Sequence, residues 1–298
     1  MFDRIFGEYL CTNGHLTREK LDRIFENENR DFNRLGVIAV SEKLMTVEQT
    51  EEVNHKQTGS DRRFGDIAIE MGYLTQTQLD SLLKLQGNSF FHFLQAAIDL
   101  GYFNLEQLDE LTGQFQEDSG LSHSEMDALV SGDVMRVVNV YLPHQDRLYG
   151  RLCGIAVRTF LRLIDSRAYI ERAFLTGSFD TERFACQRSY GTHSILSGFA
   201  GNGDSLMSMA ESFAADKFEA VDLDALDSVA EFINCIDGLF STEIYSEGVD
   251  VDMTPPMLYD RPVTLTGPQF CVVPIVTQGN RIFFVMSLDS AIMVKEKG

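Results

Sequence analysis

Long apolar runs are missing from this 298-residue chain. No stretch approaches the roughly 20 residues that cross a membrane, and residues 1–30 carry charge throughout, so neither a spanning helix nor a signal peptide is read from it. A cytoplasmic protein is the expectation. Positive charge is scarce: 25 Lys and Arg stand against 45 Asp and Glu, a formal net charge of −20. Phosphate backbones and anionic membrane surfaces are repelled by such a chain, so no nucleic-acid polymer and no membrane is expected as a partner. Cysteine is sparse as well. Cys11, Cys153, Cys186, Cys235 and Cys271 are scattered, odd in number and without a C-x-x-C, which suits reduced, mostly buried thiols and not a disulfide frame or zinc site. The six histidines form no H-x-H or H-E-x-x-H, so no metal site is read. Neither G-x-x-x-x-G-K-[ST] nor a G-x-G-x-x-G opening a helix occurs. The run from Gly198 through Gly201 to Gly203 reads instead as a tight strand-to-helix turn.

What the chain does have is 44% hydrophobic and 23% charged residues, ordinary values for a globular protein, and length for two domains with their own cores. Its first third repeats itself. Phe6, Leu35, Phe64 and Phe93 recur every 29 residues, and Leu10, Ala39, Ala68 and Ala97 keep the same step. So do Leu16, Met45, Leu74 and Phe103, then Thr17, Thr46, Thr75 and Asn104, then Lys20, Gln49, Gln78 and Gln107. Each unit reads as a short apolar helix, a turn often carrying glycine (Gly14, Gly72, Gly101), and a second helix that Thr or Asn can cap. Glu19 and Glu48 favour the N-termini of two of those helices. One such hairpin cannot bury its apolar face alone, so neighbours must stack. Four hairpins in a compact all-α domain over residues 1–118 are predicted.

Within this array Arg34-Leu35-Gly36 leads over 24 residues to Gln57, and after the spacer 58–62, Arg63-Phe64-Gly65 leads to Gln86. The middle of the array resembles the MshEN domain of type II secretion and pilus ATPases. That family uses a 24-residue unit twice, opening on Arg-Leu-Gly and closing on Gln, with a five-residue spacer, and some members bind cyclic di-GMP. The resemblance implies cyclic di-GMP as a candidate ligand, held by Arg34, Gly36, Gln57, Arg63, Gly65 and Gln86. Arginines would meet phosphates, and glycines would allow close backbone approach. The second unit also carries Gly72, Leu79 and Leu83 where the family has Gly and two Leu. The first has Lys43, Thr50 and Asn54 at those places, and repeats one and four have Ile5 and His92 instead of the arginine. The alternative is that these residues cap and pack a repeat that holds no ligand.

Residues 112–124 are polar, with Gly113, Ser119 and Gly120, and read as containing a linker. A second domain is placed at 122–298. Helices are predicted at 146–168, 205–214 and 223–246. Strands are predicted at 170–178, 182–190, 194–199, 249–253, 269–277 and 281–288, the last two joined by a Gln278-Gly279-Asn280 turn. The class is α+β: the all-α array of helical hairpins, then an antiparallel sheet with long helices on one face.

The 223–246 helix carries the most pointed pattern. Leu226, Val229, Ile233, Ile236 and Phe240 recur at helical spacing as a buried stripe. Asp227, Glu231 and Asn234, four and three residues apart, form a second stripe on another face. An acid and an amide are thus shown together on a rigid, solvent-facing element, which suits a site. Gly238 follows, and Pro255-Pro256 lies about two dozen residues beyond.

This pattern resembles the active-site helix of the CheC/CheX/FliY chemotaxis phosphatases: Asp or Ser, three residues to Glu, two to Asn, and a Pro some twenty-two further on. Asp227, Glu231 and Asn234 match in type and spacing, while Pro255 and Pro256 fall a residue or two short. The likeness covers roughly residues 121–290, including Met209-Ala210 and Phe213, with one copy of the motif as in CheX. It implies a CheX-like sheet with an exposed phosphatase helix, acting on the aspartyl phosphate of a CheY-like receiver domain. Glu231 would pair with the receiver's conserved lysine, and Asn234 would bond the attacking water in line with phosphorus. Asp227 would tune the helix surface, and Gly238 would support the helix. The receiver would supply Mg²⁺, so no cofactor is expected on this chain for the reaction. Homodimerisation rests on the family likeness alone. Two other readings stay open: a non-catalytic adaptor that binds a receiver, and a cyclic di-GMP effector.

Overall fold

The computed structural model describes residues 1–27, 34–58, 62–143, 146–277 and 279–297. They fall into two compact units, Met1–Asp133 and Val134–Gly298. No helix among the described residues is long and apolar enough to cross a membrane.

The first unit is all helix. The four repeats are the pairs α1 (Phe2–Thr12) and α2 (Arg18–Asn27), α3 (Leu35–Ser41) and α4 (Val47–Thr58), α5 (Phe64–Glu70) and α6 (Gln76–Leu85), α7 (Ser89–Asp99) and α8 (Leu105–Asp118). Residues 112–124 hold the end of α8, a turn at Gly120 and the start of α9 (His123–Val130), which belongs to this unit. Each recurrent residue type has a structural reason. The polar pair at the head of the second helix is a reciprocal cap: Thr75 with Gln78, and Asn104 with Gln107, exchange side-chain and backbone bonds. Thr46 and Gln49 do the same at 2.9 and 3.2 Å. In the first repeat Lys20 cannot return the bond, and only its backbone N–H reaches Thr17, at 3.4 Å. The opening glycines permit helix contact. A Cβ on Gly7 or Gly65 would lie 2.6 Å from Leu21 or Leu79, and one on Gly36 would lie 2.5 Å from Thr50. Rings close the unit between its first and last repeats, with Phe2 against Phe90 at 4.6 Å and against Phe115 at 5.3 Å.

The turn inside each hairpin needs a left-handed residue, at φ 76°, 73° and 69° for Gly14, Gly72 and Gly101. Lys43 occupies that slot in the second repeat at φ 56°, where a Cβ costs roughly 1 kcal/mol. Its ammonium pairs with Asp109 at the surface, and an exposed pair returns little of that cost. Lys43→Gly should therefore leave stability unchanged or raise it by up to about 0.5 kcal/mol, read as the urea midpoint of the full chain.

The second unit is mixed α+β. Helices α10 (Val134–Tyr141) and α11 (Arg147–Leu163) precede strands β1 (Tyr169–Ile170), β2 (Phe174–Thr181), β3 (Arg183–Gly191) and β4 (Ile195–Gly201). Helices α12 (Gly203–Ala214) and α13 (Leu223–Tyr245) follow, then β5 (Val251–Met253), β6 (Met257–Tyr259), β7 (Val263–Val276), β8 (Arg281–Leu288) and β9 (Met293–Glu296). The strands form one antiparallel sheet in the order β1-β7-β8-β4-β3-β5, with β2 and β9 also on β7 and β6 on β3. Helices α11, α12 and α13 cover one face. There Phe199 of β4 meets Phe232 of α13 at 5.6 Å and Phe160 of α11 at 6.1 Å. The sheet curls, and its other face is buried too, around Phe184, Leu196, Phe270, Val272 and Val285. Long helices on one face are as expected; the second core, formed where the sheet curls, explains why every residue of β4 is buried.

The glycine run behaves differently from a simple turn. Gly198 sits inside β4, paired with Cys186 and Val285. A Cβ there would come within 2.6 Å of the Cys186 Cβ and 2.7 Å of the Ala185 carbonyl. The turn itself is only Asn202, whose side chain accepts from the Ser205 N–H to start α12. Gln278 of the expected hairpin turn lies outside the described residues. Beside it, the Thr277 N–H donates to Asn280 at 2.9 Å and Gly279 takes φ 83°.

Candidate functional site

Helix α13 starts where Asp222 accepts from the N–H groups of Asp224 and Ala225, at 3.1 and 3.2 Å. Its expected apolar stripe is the buried one: Leu226, Val229, Ile233, Ile236 and Phe240 are all at most 2% exposed. Phe213 of α12 stacks edge-on against Phe232, and Ser228 donates to the Ala210 carbonyl, so α12 braces α13. At the far end Arg151 of α11 reaches Glu243 and Glu247 at 3.2 and 2.8 Å.

On the opposite stripe, Asp227 and Glu231 are exposed, and Gly238 is half-buried with nothing within 4 Å of a built Cβ. Gly238 thus answers no packing demand in this unit, and its effect is to leave the helix surface bare. Asn234 is not fully solvent-facing, as its stripe suggested. It is half-buried, because its Oδ1 accepts from Nε2 of Gln187 on β3 at 3.0 Å. The same Nε2 lies 2.9 Å from the Thr254 carbonyl, next to Pro255-Pro256. One buried amide therefore joins the motif helix, the sheet and the proline segment.

One turn beyond Asn234, Asp237 points inward and is buried. Burial pushes its carboxyl up to about 7 from the ordinary 3.8, and the Ser197 hydroxyl pulls the other way. Ser197 Oγ lies 2.7 Å from both carboxyl oxygens. A hydroxyl has one proton, which the two oxygens of an ionised carboxylate must share, whereas a protonated carboxyl brings a second and makes each contact a full hydrogen bond. The geometry and the direction of the shift both favour a protonated Asp237 at mildly acid pH.

Gln187, Thr254, Ser197 and Asp237 were not singled out in the sequence. One of them carried a signal there: Asp237 is an acid within the stripe of Ile233, Ile236 and Phe240, whereas Gln187 stands beside the equally polar Arg188 and Ser189.

In the first unit, Arg34, Gly36, Gln57 and Gln86 line one cleft of about 400 Å³, with Phe64 and Gln95. Arg63 and Gly65 are not among its lining residues. The Arg34 guanidinium lies 3.5 Å from Asp99, and the Arg34 backbone N–H donates to Gln95 Oε1. Gln57 donates to the Arg62 carbonyl at 2.9 Å. Gly65 is fitted against Leu79, and Arg63 is exposed at the N-cap of α5.

No family model matches the chain, and no curated protein matches it. Several solved structures are similar over about half of it. A CheC-like superfamily protein from Shewanella sp. PV-4 has a TM-score of 0.42 and 12% identity, covering 47% of this chain and 96% of its own. The chemotaxis protein CheX from Vibrio vulnificus has a TM-score of 0.41 and 10% identity, covering 48% and 99%. A chain of the CheX–CheY–BeF3–Mg²⁺ complex from Borrelia burgdorferi has a TM-score of 0.36 and 14% identity, covering 47% and 97%.

Proposed function

We propose that the second unit dephosphorylates the aspartyl phosphate of a CheY-like receiver domain, with Glu231 and Asn234 as the acting pair. The observation that carries this is an exposed carboxylate one helical turn from an amide that is itself held from behind, on a helix packed into the sheet. Phosphoryl transfer asks mainly for position and charge complementarity. Glu231 is free to meet a cation on the docked partner, which fixes the orientation of approach. Asn234 then holds the attacking water in line with the bond to be broken, or a phosphoryl oxygen to the side of that line. Water adds to phosphorus, the bond to the aspartyl oxygen breaks, and inorganic phosphate leaves. The Mg²⁺ such a reaction uses would come with the receiver.

For the first unit, the cleft at Arg34 is where a phosphate-bearing ligand such as cyclic di-GMP would sit. Asp99 would have to release Arg34 for that, and the packing duty of Gly36 and Gly65 stands whether or not a ligand binds.

The test charges a panel of receiver domains with acetyl phosphate in the presence of Mg²⁺ and follows phosphate loss. The full chain should speed the decay of at least one. Glu231→Ala should lose about 10-fold or more of that effect, mostly as a higher KM, since a charge-assisted contact contributes roughly 1.5–3 kcal/mol. No acceleration of any receiver by the wild-type chain would end this reading in favour of an adaptor.

A further inference from the structure

The orientation of the Asn234 amide follows from its neighbours. A backbone carbonyl only accepts, so the Gln187 atom 2.9 Å from the Thr254 carbonyl is the NH2 group. That same nitrogen lies 3.0 Å from the Asn234 side chain, whose facing atom must then be oxygen. Thr254 is itself fixed. Its N–H and Oγ1 donate to the Arg188 carbonyl at 2.8 and 3.0 Å, and Pro255 behind it confines its backbone to extended conformations. Asn234 is left with Oδ1 tied toward the sheet and Nδ2 turned away from it.

We infer that Gln187 is a positioning residue: it acts through Asn234 and sets which end of that amide the site presents. The group presented is an N–H donor pair, suited to a phosphoryl oxygen or to the lone pair of the attacking water that is not aimed at phosphorus. The chemistry rests on the phosphatase reading above, whereas the orientation rests on geometry alone. A second observation separates this role from simple packing. Gln187 is 3% exposed, and its Oε1 has no hydrogen-bond partner among the described residues. A stranded acceptor is costly, and an apolar side chain of the same size would fill the space without it. The bond from Nε2 is what a glutamine adds at this place. It also gives the proline pair a function, since Thr254 and Pro255 hold the carbonyl that orients Gln187.

The test uses the full chain labelled with 15N at glutamine side chains. In the wild type both Gln187 NH2 protons should exchange slowly with solvent, and Asn234→Ala should release one of them. Gln187→Met keeps the volume and removes the stranded oxygen, but it leaves the Thr254 carbonyl and Asn234 Oδ1 without their donor, so it should fold and melt only a few degrees below the wild type. Its kcat on the accelerated receiver should fall about 10-fold at unchanged KM, part of the roughly 100-fold that a misplaced group can cost. Gln187→Glu, which has no proton to donate when ionised, should match that loss. Adding Gln187→Met to Asn234→Ala should cost almost nothing further, as expected for residues acting in series. A freely exchanging Gln187 amide in the wild type would overturn the inference, as would a wild-type kcat in Gln187→Met. Should no receiver respond to the wild-type chain, a protected Gln187 amide that loosens in Asn234→Ala would still uphold the orientation and discard only the phosphatase reading.

Discussion

Asn234→Ala should lower kcat for receiver dephosphorylation about 100-fold, the cost of losing a group that holds the reacting geometry, and leave KM nearly unchanged. On the proposed phosphatase reading, the split follows from the two residues' settings. Glu231 is exposed and would meet a partner from outside, so it would govern docking. Asn234 is anchored to Gln187 at 3.0 Å and would not follow a partner that docks askew, so it would govern the chemical step. The variant should also lose about 1 kcal/mol of stability, because one proton of a buried amide loses its acceptor. For a unit of this size that is a fall of roughly 2–4 °C in melting temperature. Single-turnover decay of the charged receiver and a thermal melt measure both. A change confined to KM would assign Asn234 to docking and remove it from the chemical step.

Asp237→Asn should stabilise the protein at alkaline pH. The folded carboxyl titrates at about 7 and the unfolded one near 3.8. The folded pKa is the higher, so the stability from the protonated acid is fully present below pH 3.8. It declines as pH rises and is lost once pH passes 7. A gap of about 3 pKa units corresponds to roughly 4 kcal/mol. An asparagine can keep both contacts with Ser197, accepting its proton through Oδ1 and donating to Oγ through Nδ2, with nothing to titrate. At pH 8 the variant should melt roughly 10 °C above the wild type, and near pH 4 the two should coincide. Taking the difference between variant and wild type cancels the opposite slope of exposed carboxylates held low by cations, such as Glu70 beside Arg62 and Glu247 beside Arg151. Equal melting at pH 8 would show that the fold does not raise the pKa of the buried carboxyl.

Much of this was legible in the chain because it is periodic. The 29-residue step marked the four hairpins, and it marked their caps and left-handed turns before any contact was known. On α13, the 3.6-residue period separated the buried stripe from Asp227, Glu231 and Asn234. What stayed hidden depends on contacts between distant residues. Gln187 is 47 residues from Asn234 and 67 from Thr254, and periodicity within one element cannot report such a meeting. Asn234 therefore looked free when it is half-buried. The second core was hidden for a related reason, since a strand buried on both faces loses the alternation that marks an inside and an outside. Strands β6 and β9, three and four residues long, are too short to show a period at all. The first half of β7 escaped because Gly267 and Pro268 resemble a break. In the structure they sit at the bulge where the register against β2 shifts between Thr176 and Ser178.

The pairing of β2 has a consequence for how the chain is made. Among the described residues its ladder partner is β7, with Phe174 opposite Val272. On a ribosome adding about 5–20 residues per second, β2 waits on the order of ten seconds for that partner to emerge. By then the helical hairpins have been outside the tunnel far longer, and each can stack on a neighbour already made. The nascent chain would thus carry a finished first unit joined to a second whose Phe179 still lacks Phe283 of β8, its ring neighbour at 5.2 Å in the completed fold. In that interval β2 presents an unpaired edge, the kind of surface on which chaperones act.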